Sequence, residues 1–297
     1  MPTDPLEQLS EALADRLAAA SPFVVAIRTG RRDYSGILWR DDVVVTSEQI
    51  LPDTTDFTIL RAGTNVAARL AGRDAGTNVA ALRLSQGLGG LLPPLEATPR
   101  AGSLALIVGA DSNGAPTGRL GMVHATGPAW NSEAGGRIDS LLRLDSRLAA
   151  DEGGPVLTLD NKLIGMSTAG PRRRALVIPA ATIDRVLGPL LTEGHVPRGW
   201  LGVGLQHVAL PERMRDAAGR DAGMMVVGLA PGSPAEQAGV LPGDIILEVD
   251  GRQTGRARGL ATSLLPDRIG QPATLKLIRA GEVRMVTVTI GARPAKG

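Results

Sequence analysis

Short β-type runs separated by turn residues fill the chain from residue 22 to about residue 179. The runs consist mainly of Val, Ile, Leu and Ala, and their spacing is typical of all-β barrels or sandwiches. With 38 glycines and 21 prolines spread along the sequence, an all-helical fold is disfavoured. The runs are residues 24–27, 43–45, 57–60, 80–82, 104–108, 141–142, 156–157 and 162–164. We therefore predict a mainly β fold.

The β runs divide into two halves. The Gly-rich stretch 87–90 ends the first half, and the second half opens near Pro94, where we place the link between two lobes. A chain of 297 residues is longer than one hydrophobic core usually serves. We therefore expect a two-lobed domain accompanied by a smaller one.

Helical spacing occurs at both ends of this β region. Leu6, Leu9, Leu13 and Leu17 recur at intervals of three and four residues, which predicts a helix over residues 4–20 within an N-terminal segment 1–21. We expect this apolar stripe to dock onto the protein body, because the polar face is acidic and anionic lipid would repel it. A second helix is predicted over residues 180–191, at the end of a two-lobed domain spanning 22–192.

A smaller domain is predicted at residues 200–294, after a linker at 193–199. Its strand candidates are residues 224–227, 245–249, 274–278 and 283–290, and its helix candidates are 234–238 and 259–265. This combination predicts a small α+β domain of about the minimum size that folds alone.

Charge and composition limit the partners and cofactors. The 32 basic and 30 acidic residues give a net charge of +2, so nucleic acid is not indicated. The one dense basic run is Arg172, Arg173 and Arg174, which has no aromatic neighbours for stacking on bases and is interpreted as a solvated loop. Without cysteine, thiolate metal sites are excluded, and no nucleotide or flavin motif occurs. We predict no cofactor and no metal.

The N-terminus bears on location. Residues 1–20 include Asp4, Glu7, Glu11 and Asp15 and lack a basic start followed by an apolar stretch, so no secretory signal is predicted. No later segment offers about 18 consecutive apolar residues for a membrane span. The prediction is a cytoplasmic protein if the sequence is complete, and a periplasmic one if an export signal was removed.

Three segments point to one enzyme family. Residues 35–51 contain a strand ending at Thr46 and a short turn that presents Gln49. Residues 74–82 place Asn78 after Thr77, and Glu152 opens the run Glu-Gly-Gly-Pro-Val at 152–156. Their order and spacing resemble the HtrA-type (Deg-type) trypsin-like serine proteases with a C-terminal PDZ domain. The resemblance implies a trypsin-like double β-barrel and places Gln49, Asn78 and Glu152 where the family carries His, Asp and Ser.

These replacements remove the chemistry that the family uses. The mechanism needs a hydroxyl nucleophile, an imidazole that takes and returns its proton, and a carboxylate that holds the imidazole. Gln49 has no titratable group, Asn78 has no ring to orient, and Glu152 lacks an activating base. Asp145 lies ten positions before Pro155, which makes the intervening loop about one residue shorter than in the family and disfavours an oxyanion hole. We interpret the domain as a pseudoprotease.

Two alternatives depend on other residues near these segments. An active enzyme would require a serine hydroxyl within hydrogen-bond reach of a histidine. A metal site at Asp151 and Glu152 is disfavoured, since adjacent side chains in a loop diverge. The arginine run at Arg172 is expected beside the specificity-pocket wall, where it would pair with Glu152 or capture an acidic peptide. The candidate bases and hydroxyls are His124, His195, His207, Ser47, Ser146 and Ser167.

The smaller domain retains a binding motif. Residues 200–203, which are Trp200, Leu201, Gly202 and Val203, resemble the carboxylate-binding loop that opens an HtrA PDZ domain, and residues 230–246 match the rest of that signature. The resemblance implies β-augmentation, in which an extended partner adds a strand and backbone N–H groups receive its terminal carboxylate. Gly202 is expected to let the carboxylate approach the backbone.

Leu260 and Leu264, on the helix predicted at 259–265, are expected to line an apolar pocket opposite this loop. The alternative is a PDZ fold that only packs on the barrel. The sequence therefore predicts a pseudoprotease that binds peptides, protein C-termini or unfolded segments as a scaffold or quality-control adaptor. The alternatives are an active endopeptidase with non-standard residues, and a regulatory subunit of an active HtrA homologue. A homo-oligomer, with a trimer as the family precedent, is left open.

Overall fold

The computed structural model describes residues 4–30, 32–89, 92–95, 99–148, 152–254 and 264–294. The chain divides into two compact units, Met1–His195 and Val196–Gly297. The boundary falls inside the segment 193–199 predicted as a linker. Each unit has its own architecture.

The first unit contains two closed six-stranded barrels, so the mainly β prediction is confirmed. The first barrel has the strand order β1-β2-β3-β6-β5-β4. Its core is aliphatic, with Ile27, Ile37 and Leu82 fully buried. Its strands are β1 Val24–Arg28, β2 Asp33–Arg40, β3 Val43–Ser47, β4 Asp56–Arg61, β5 Thr64–Asp74 and β6 Val79–Leu84.

The second barrel has the order β11-β14-β13-β12-β7-β8 and encloses a second aliphatic cluster around Ile107, Leu142 and Val177. A separate two-stranded hairpin, β9 and β10, lies outside the closed sheet. The strands are β7 Leu104–Ala110, β8 Pro116–Gly127, β9 Trp130–Asn131, β10 Arg137–Ile138, β11 Leu141–Arg147, β12 Pro155–Thr158, β13 Leu163–Ala169 and β14 Arg174–Pro179.

Two helices flank the barrels: α1 Pro5–Ala18 and α2 Ala180–Glu193. Asp4 caps α1 by accepting a hydrogen bond from the Leu6 N–H at 3.0 Å. The predicted docking of the α1 stripe is wrong at its N-terminal end, where Leu6 is 74% exposed and Leu9 is 48% exposed. Leu17, the penultimate residue of the helix, instead packs against Gly118 of β8, where a side chain on the glycine would collide with the Leu17 methyl groups.

The second unit is an α+β domain built on the sheet path β16-β17-β18-β20-β21, with β19 paired to β18. Its core contains Leu201, Val226 and Ile246. Its elements are β15 Gly199–Trp200, β16 Val203–Ala209, α3 Glu212–Ala218, β17 Ala222–Leu229, α4 Pro234–Gln237, β18 Ile245–Val249, β19 Arg252–Gln253, β20 Pro272–Arg279, β21 Glu282–Thr289 and β22 Gly291–Ala292.

Two details of this unit bear on the predictions. The helix predicted at 259–265 lies almost entirely outside the described residues. Helix α3 was not predicted, because its sequence is mostly polar and carries no apolar stripe. Within the described ranges, none of the helices is long and apolar enough to cross a membrane.

Candidate functional site

The first barrel places Gln49 and Asn78 next to each other. Strands β3 and β6 pair with Ser47 opposite Val79, so the residues just beyond these two strand ends meet. Gln49 lies in the 3-10 turn Glu48–Ile50 and donates its backbone N–H to Asn78 Oδ1 at 2.8 Å. Asn78 adopts a left-handed conformation with φ of 57°, which asparagine tolerates better than most residues. The two segments are thus held by a specific contact.

Glu152, which precedes β12 of the second barrel, contacts Gln49 of the first barrel. Its carboxylate Oε1 accepts a hydrogen bond from Gln49 Nε2 at 2.5 Å and another from the Ala169 backbone N–H at 3.1 Å. The hydroxyls of Ser47 and Thr168 each lie 3.2 Å from the same oxygen. Glu152 is 6% exposed, so this carboxylate is buried among donors from both barrels.

Thr168 links the three positions. Its hydroxyl oxygen receives a hydrogen bond from Asn78 Nδ2 at 2.6 Å and one from Gln49 Nε2 at 3.1 Å. Thr168 and Ser47 are both buried. The sequence gave no reason to single out Thr168, since a threonine within an apolar strand normally marks β propensity only.

The turn after Glu152 depends on its glycines. Gly153 has φ of 92°, and a side chain there would meet the Ser35 carbonyl oxygen and Thr46 Oγ1 at 2.4 Å. A side chain on Gly154 would lie 2.0 Å from the Val108 carbonyl oxygen. The Gly-Gly-Pro run therefore brings the backbone close to both barrels and fixes the direction of the Glu152 side chain.

Among the described residues, the hydrogen bonds of this arrangement join amides, hydroxyls and a carboxylate and include no imidazole. The Gln49 amide faces the carboxylate as a donor and also donates to the Ala169 carbonyl at 3.1 Å. Glu152 Oε1 is the acceptor for the Gln49 side chain and for the Ala169 N–H. Residues 149–151, which precede Glu152, lie outside the described residues.

The alternative bases and hydroxyls are dispersed. His124 lies on β8 and His207 on β16, while His195 Nδ1 contacts the Glu193 carbonyl at 3.0 Å. The Ser47 hydroxyl pairs with Glu152 and Thr168 and not with an imidazole. The Ser146 hydroxyl donates to Asp145 Oδ1 at 3.3 Å. The Ser167 hydroxyl donates to the Gly154 carbonyl at 3.2 Å.

Two groups of charged residues were expected near Glu152: Asp151 and the arginines at 172–174. Asp151 lies outside the described residues, and the described part of the chain contains no group of three metal-ligating side chains. The arginines at 172–174 are exposed on the turn between β13 and β14. Arg173 Nε donates to the Leu148 carbonyl at 3.2 Å, so the predicted pairing of this arginine with Glu152 is replaced by a backbone contact.

The second candidate site is the loop between β15 and β16. The Leu201 carbonyl accepts from the Ala235 N–H at 2.9 Å, and the Gly202 carbonyl accepts from the Ala230 N–H at 2.8 Å. Gly202 has φ of 77°, and a side chain there would lie 2.2 Å from Ser233 Cβ. The structure thus gives two reasons for this glycine, the backbone conformation and the packing on Ser233, besides the expected approach of a ligand.

Strand β16 lies at one edge of the second unit's sheet, because it pairs with β17 and the path ends there. Val203, Leu205 and Leu264 are half-buried and pack against the core cluster. Leu205 was missed by the sequence analysis, although its spacing of two residues from Val203 marks the same strand face. Leu260 lies outside the described residues.

Comparison with known proteins gives one match for each unit. Residues 34–166 match the trypsin-like peptidase domain, and residues 199–290 match the PDZ domain. The first match contains Gln49, Asn78 and Glu152, and the second contains the loop at 200–203. Each match therefore includes one of the two candidate sites.

The curated relatives are named as serine endoproteases. A probable periplasmic serine endoprotease DegP-like of Rhizobium meliloti is 29% identical over 86% of this chain and 52% of the relative. Its counterpart in Brucella suis is 28% identical over 87% of this chain and 52% of the relative. The chain thus spans about half the length of the curated relatives it matches.

Solved structures share the fold. An HtrA-type protease AlgW with decapeptide aligns with a TM-score of 0.75 at 22% identity, over 96% of this chain and 99% of that one. The serine endoprotease from Yersinia pestis aligns with a TM-score of 0.73 at 24% identity, over 99% and 100% of the two chains. At these identities the likeness concerns the fold.

Proposed function

The chain belongs to the HtrA-type family, with a trypsin-like peptidase domain followed by a PDZ domain, and from this premise we propose that it is a pseudoprotease that binds peptides. In this proposal the PDZ domain receives protein C-termini or unfolded segments, and the barrels serve as a scaffold or quality-control adaptor. The observation that carries the proposal is the hydrogen bond from Gln49 Nε2 to Glu152 Oε1 at 2.5 Å, at the positions equivalent to base and nucleophile.

The chemistry of that pair supports loss of proteolysis. A primary amide at the base position cannot accept a proton from a nucleophile, and a carboxylate at the nucleophile position would repel a developing oxyanion. Removing nucleophile and base from a triad enzyme lowers kcat by a factor on the order of a million. The interactions of Glu152 with Ser47, Thr168 and Ala169 instead form a closed structural network.

The geometry of the second unit supports peptide binding. Among the described strands, β16 pairs only with β17, so its other side is the place for an added peptide strand. Its start is fixed by the bonded loop at Leu201 and Gly202, and its half-buried face offers Val203 and Leu205 to an apolar side chain. The neighbouring structure of AlgW is described as holding a decapeptide, which is consistent with this proposal.

An active endopeptidase is the main competing proposal, because the relatives are named serine endoproteases. It requires a nucleophile and base other than Gln49 and Glu152. Hydrolysis of unfolded casein by the whole chain tests it. We expect no cleavage by the native protein, and cleavage by the triple variant Gln49→His, Asn78→Asp, Glu152→Ser that is blocked by a serine-directed phosphonate. Phosphonate-sensitive cleavage by the native protein would overturn the pseudoprotease proposal.

Binding is tested separately with two labelled peptides of the same apolar C-terminal sequence, one with a free carboxylate and one amidated. Fluorescence anisotropy should show affinity for the free carboxylate about tenfold or more above that for the amide, since a charge-assisted hydrogen bond contributes about 1.5–3 kcal/mol. Equal affinity of the two peptides, or no binding of either, would contradict PDZ-type capture.

The third proposal is a subunit that regulates an active HtrA homologue through mixed oligomers. Exposed Leu6 and Leu9 on α1 favour an oligomer, since they leave an apolar strip on the first unit. Gel filtration with light scattering distinguishes a monomer from a trimer, and copurification with an active homologue distinguishes a mixed assembly from a homo-oligomer. As to location, the relatives' names favour the periplasmic alternative and give no support to a cytoplasmic protein.

A further inference from the structure

The turn between β13 and β14 carries an unusual backbone. Arg172 and Arg173, both with a full side chain, have φ of 57°. For a residue other than glycine this conformation costs roughly 1–2 kcal/mol. Such strain persists only where surrounding contacts hold the backbone in place.

Backbone and side-chain contacts fix this turn. The Arg173 N–H donates to the Gly170 carbonyl at 3.0 Å, and the Gly170 N–H donates to the Arg174 carbonyl at 2.9 Å. Leu148 and Arg173 form a reciprocal pair, because the Leu148 N–H donates to the Arg173 carbonyl at 3.1 Å while Arg173 Nε donates to the Leu148 carbonyl at 3.2 Å. The strained turn is therefore bonded to the segment that leads towards Glu152.

A second unfavourable feature occurs beside it. In the β11–β14 pairing, Arg147 lies directly opposite Arg174, and both are exposed. Like charges directly opposite each other in antiparallel strands destabilise the pair. Asp145 is on the same strand as Arg147, but its Oδ1 accepts from the Met122 N–H at 2.8 Å and so is directed towards β8.

The described part of the chain supplies no carboxylate partner for these arginines. Its ion pairs engage arginines elsewhere, such as Arg28 with Asp33 and Arg279 with Asp244. We define the arginine surface as Arg147, Arg172 and Arg174. Arg172 and Arg174 follow β13 by three and five residues, and Arg147, at the end of β11, lies opposite Arg174. The Ala169 N–H at the end of β13 bonds to Glu152 in the first of the candidate sites.

We propose that the arginine surface binds an acidic polypeptide segment beside the peptidase-type site. The planar guanidinium matches a carboxylate in a two-point hydrogen bond, and several aspartates or glutamates would remove the repulsion between Arg147 and Arg174. A nucleic-acid partner fits less well, because residues 165–179 contain no aromatic side chain for base stacking. An anionic membrane fits less well too, because the net charge of +2 provides no extended positive field.

The test is fluorescence anisotropy with a labelled decapeptide of alternating Glu and Gly, amidated at its C-terminus so that the PDZ loop cannot capture a carboxylate. We expect salt-sensitive binding to the whole protein. The double variant Arg172→Gln, Arg174→Gln and the single variant Arg147→Gln should weaken it, the former by about fivefold to tenfold, since each exposed charge pair contributes about 0.2–1 kcal/mol.

The control is the double variant Arg69→Gln, Arg83→Gln, which makes the same change in net charge on the first barrel at two exposed positions. It should bind the peptide as the native protein does. No binding to the native protein, or an equal loss in the control, would overturn the proposal. So would tighter binding of a single-stranded oligonucleotide or of phosphatidylserine vesicles than of the acidic peptide. These outcomes do not depend on PDZ capture, so the two proposals fail separately.

Discussion

At the residue scale, the decisive feature is a buried carboxylate that is satisfied by its own protein. Burial of an ionised group without partners is costly, and the donors from Gln49, Ser47, Thr168 and Ala169 offset that cost at Glu152. A nucleophile has the opposite requirement, because it must reach a substrate with an unshared electron pair. In the proposed pseudoprotease, position 152 therefore stabilises the fold rather than attacking a substrate.

This view predicts a stability loss on removing the carboxylate. Glu152→Ala leaves the Ala169 N–H without its acceptor and removes one of the three acceptors of the Gln49 amide, and it should lower the free energy of unfolding by about 2 kcal/mol. Hydrogen exchange of β12 and β13 in increasing urea measures the change in the first unit. Glu11→Ala, at an exposed position of α1, is the control and should change stability little. Unchanged hydrogen exchange in Glu152→Ala would show that the carboxylate makes no net contribution to the stability of the first unit, and would contradict its structural role.

At the element scale, the loop before β16 depends on one glycine. Gly202→Ala introduces a side chain at φ of 77° and within 2.2 Å of Ser233 Cβ. The loop must shift, so binding of the free-carboxylate peptide should fall by about tenfold, the effect of one lost charge-assisted hydrogen bond. Gly204→Ala is the matched control, since its nearest neighbours lie at 3.5 Å or beyond. Similar losses in both variants, measured by anisotropy, would argue against a specific role of the loop.

The turn after β18 gives a pH-dependent prediction. Asp250 accepts from the Thr274 N–H at 2.8 Å and from Arg268 at 2.8 Å. Burial, the largest single influence, raises the pKa of Asp250, but these hydrogen bonds together with the charges of Arg268 and Arg252 outweigh it and leave the pKa below its usual value. The ionised form therefore stabilises the fold, and this contribution is complete above the pKa of the unfolded chain.

Thermal unfolding at several pH values checks the sign. Asp250→Asn keeps a residue that tolerates the left-handed φ of 50° but removes the charge. The native protein should be more stable than the variant above pH of about 4, and the difference should shrink as the pH falls further, through the lowered pKa. Asp216→Asn, at an exposed position of α3, is the control for the loss of one carboxylate. A constant difference for Asp250→Asn across the whole pH range would refute the assignment.

The same scale shows what the sequence could predict. The apolar runs located β3, β7 and β18, because short runs of Val and Ile bounded by turn residues are typical of buried β-strands. Strands β5 and β8 were missed, since their glycines, alanines and arginines give no apolar run, and pairing with neighbours rather than propensity defines them. The meeting of Gln49, Asn78 and Glu152 followed from family spacing, whereas Thr168 is a contact across 16 to 119 residues of sequence that local patterns do not encode.

At the scale of the whole molecule, the chain consists of two units with separate cores, and each unit contains one of the two candidate sites. The first unit has a hydrogen-bonded network around Glu152, and in the second unit β16 is an edge strand among the described strands. Function on such a chain resides in its sites rather than in its fold. A ligand for the second unit should therefore act on the stability of that unit first.

Mass action makes this a quantitative prediction. At a free concentration of 100 times Kd, the free-carboxylate peptide should stabilise Val196–Gly297 by about 2.7 kcal/mol. Hydrogen exchange of the whole chain resolves where this occurs: protection should rise in β16 and in the next two strands of its sheet, β17 and β18, while exchange in β12 and β13 stays as it was. The amidated peptide at the same concentration is the control and should give little protection. Protection that appears first in the barrels would place the peptide at the Glu152 site and transfer the binding function from the second unit to the first.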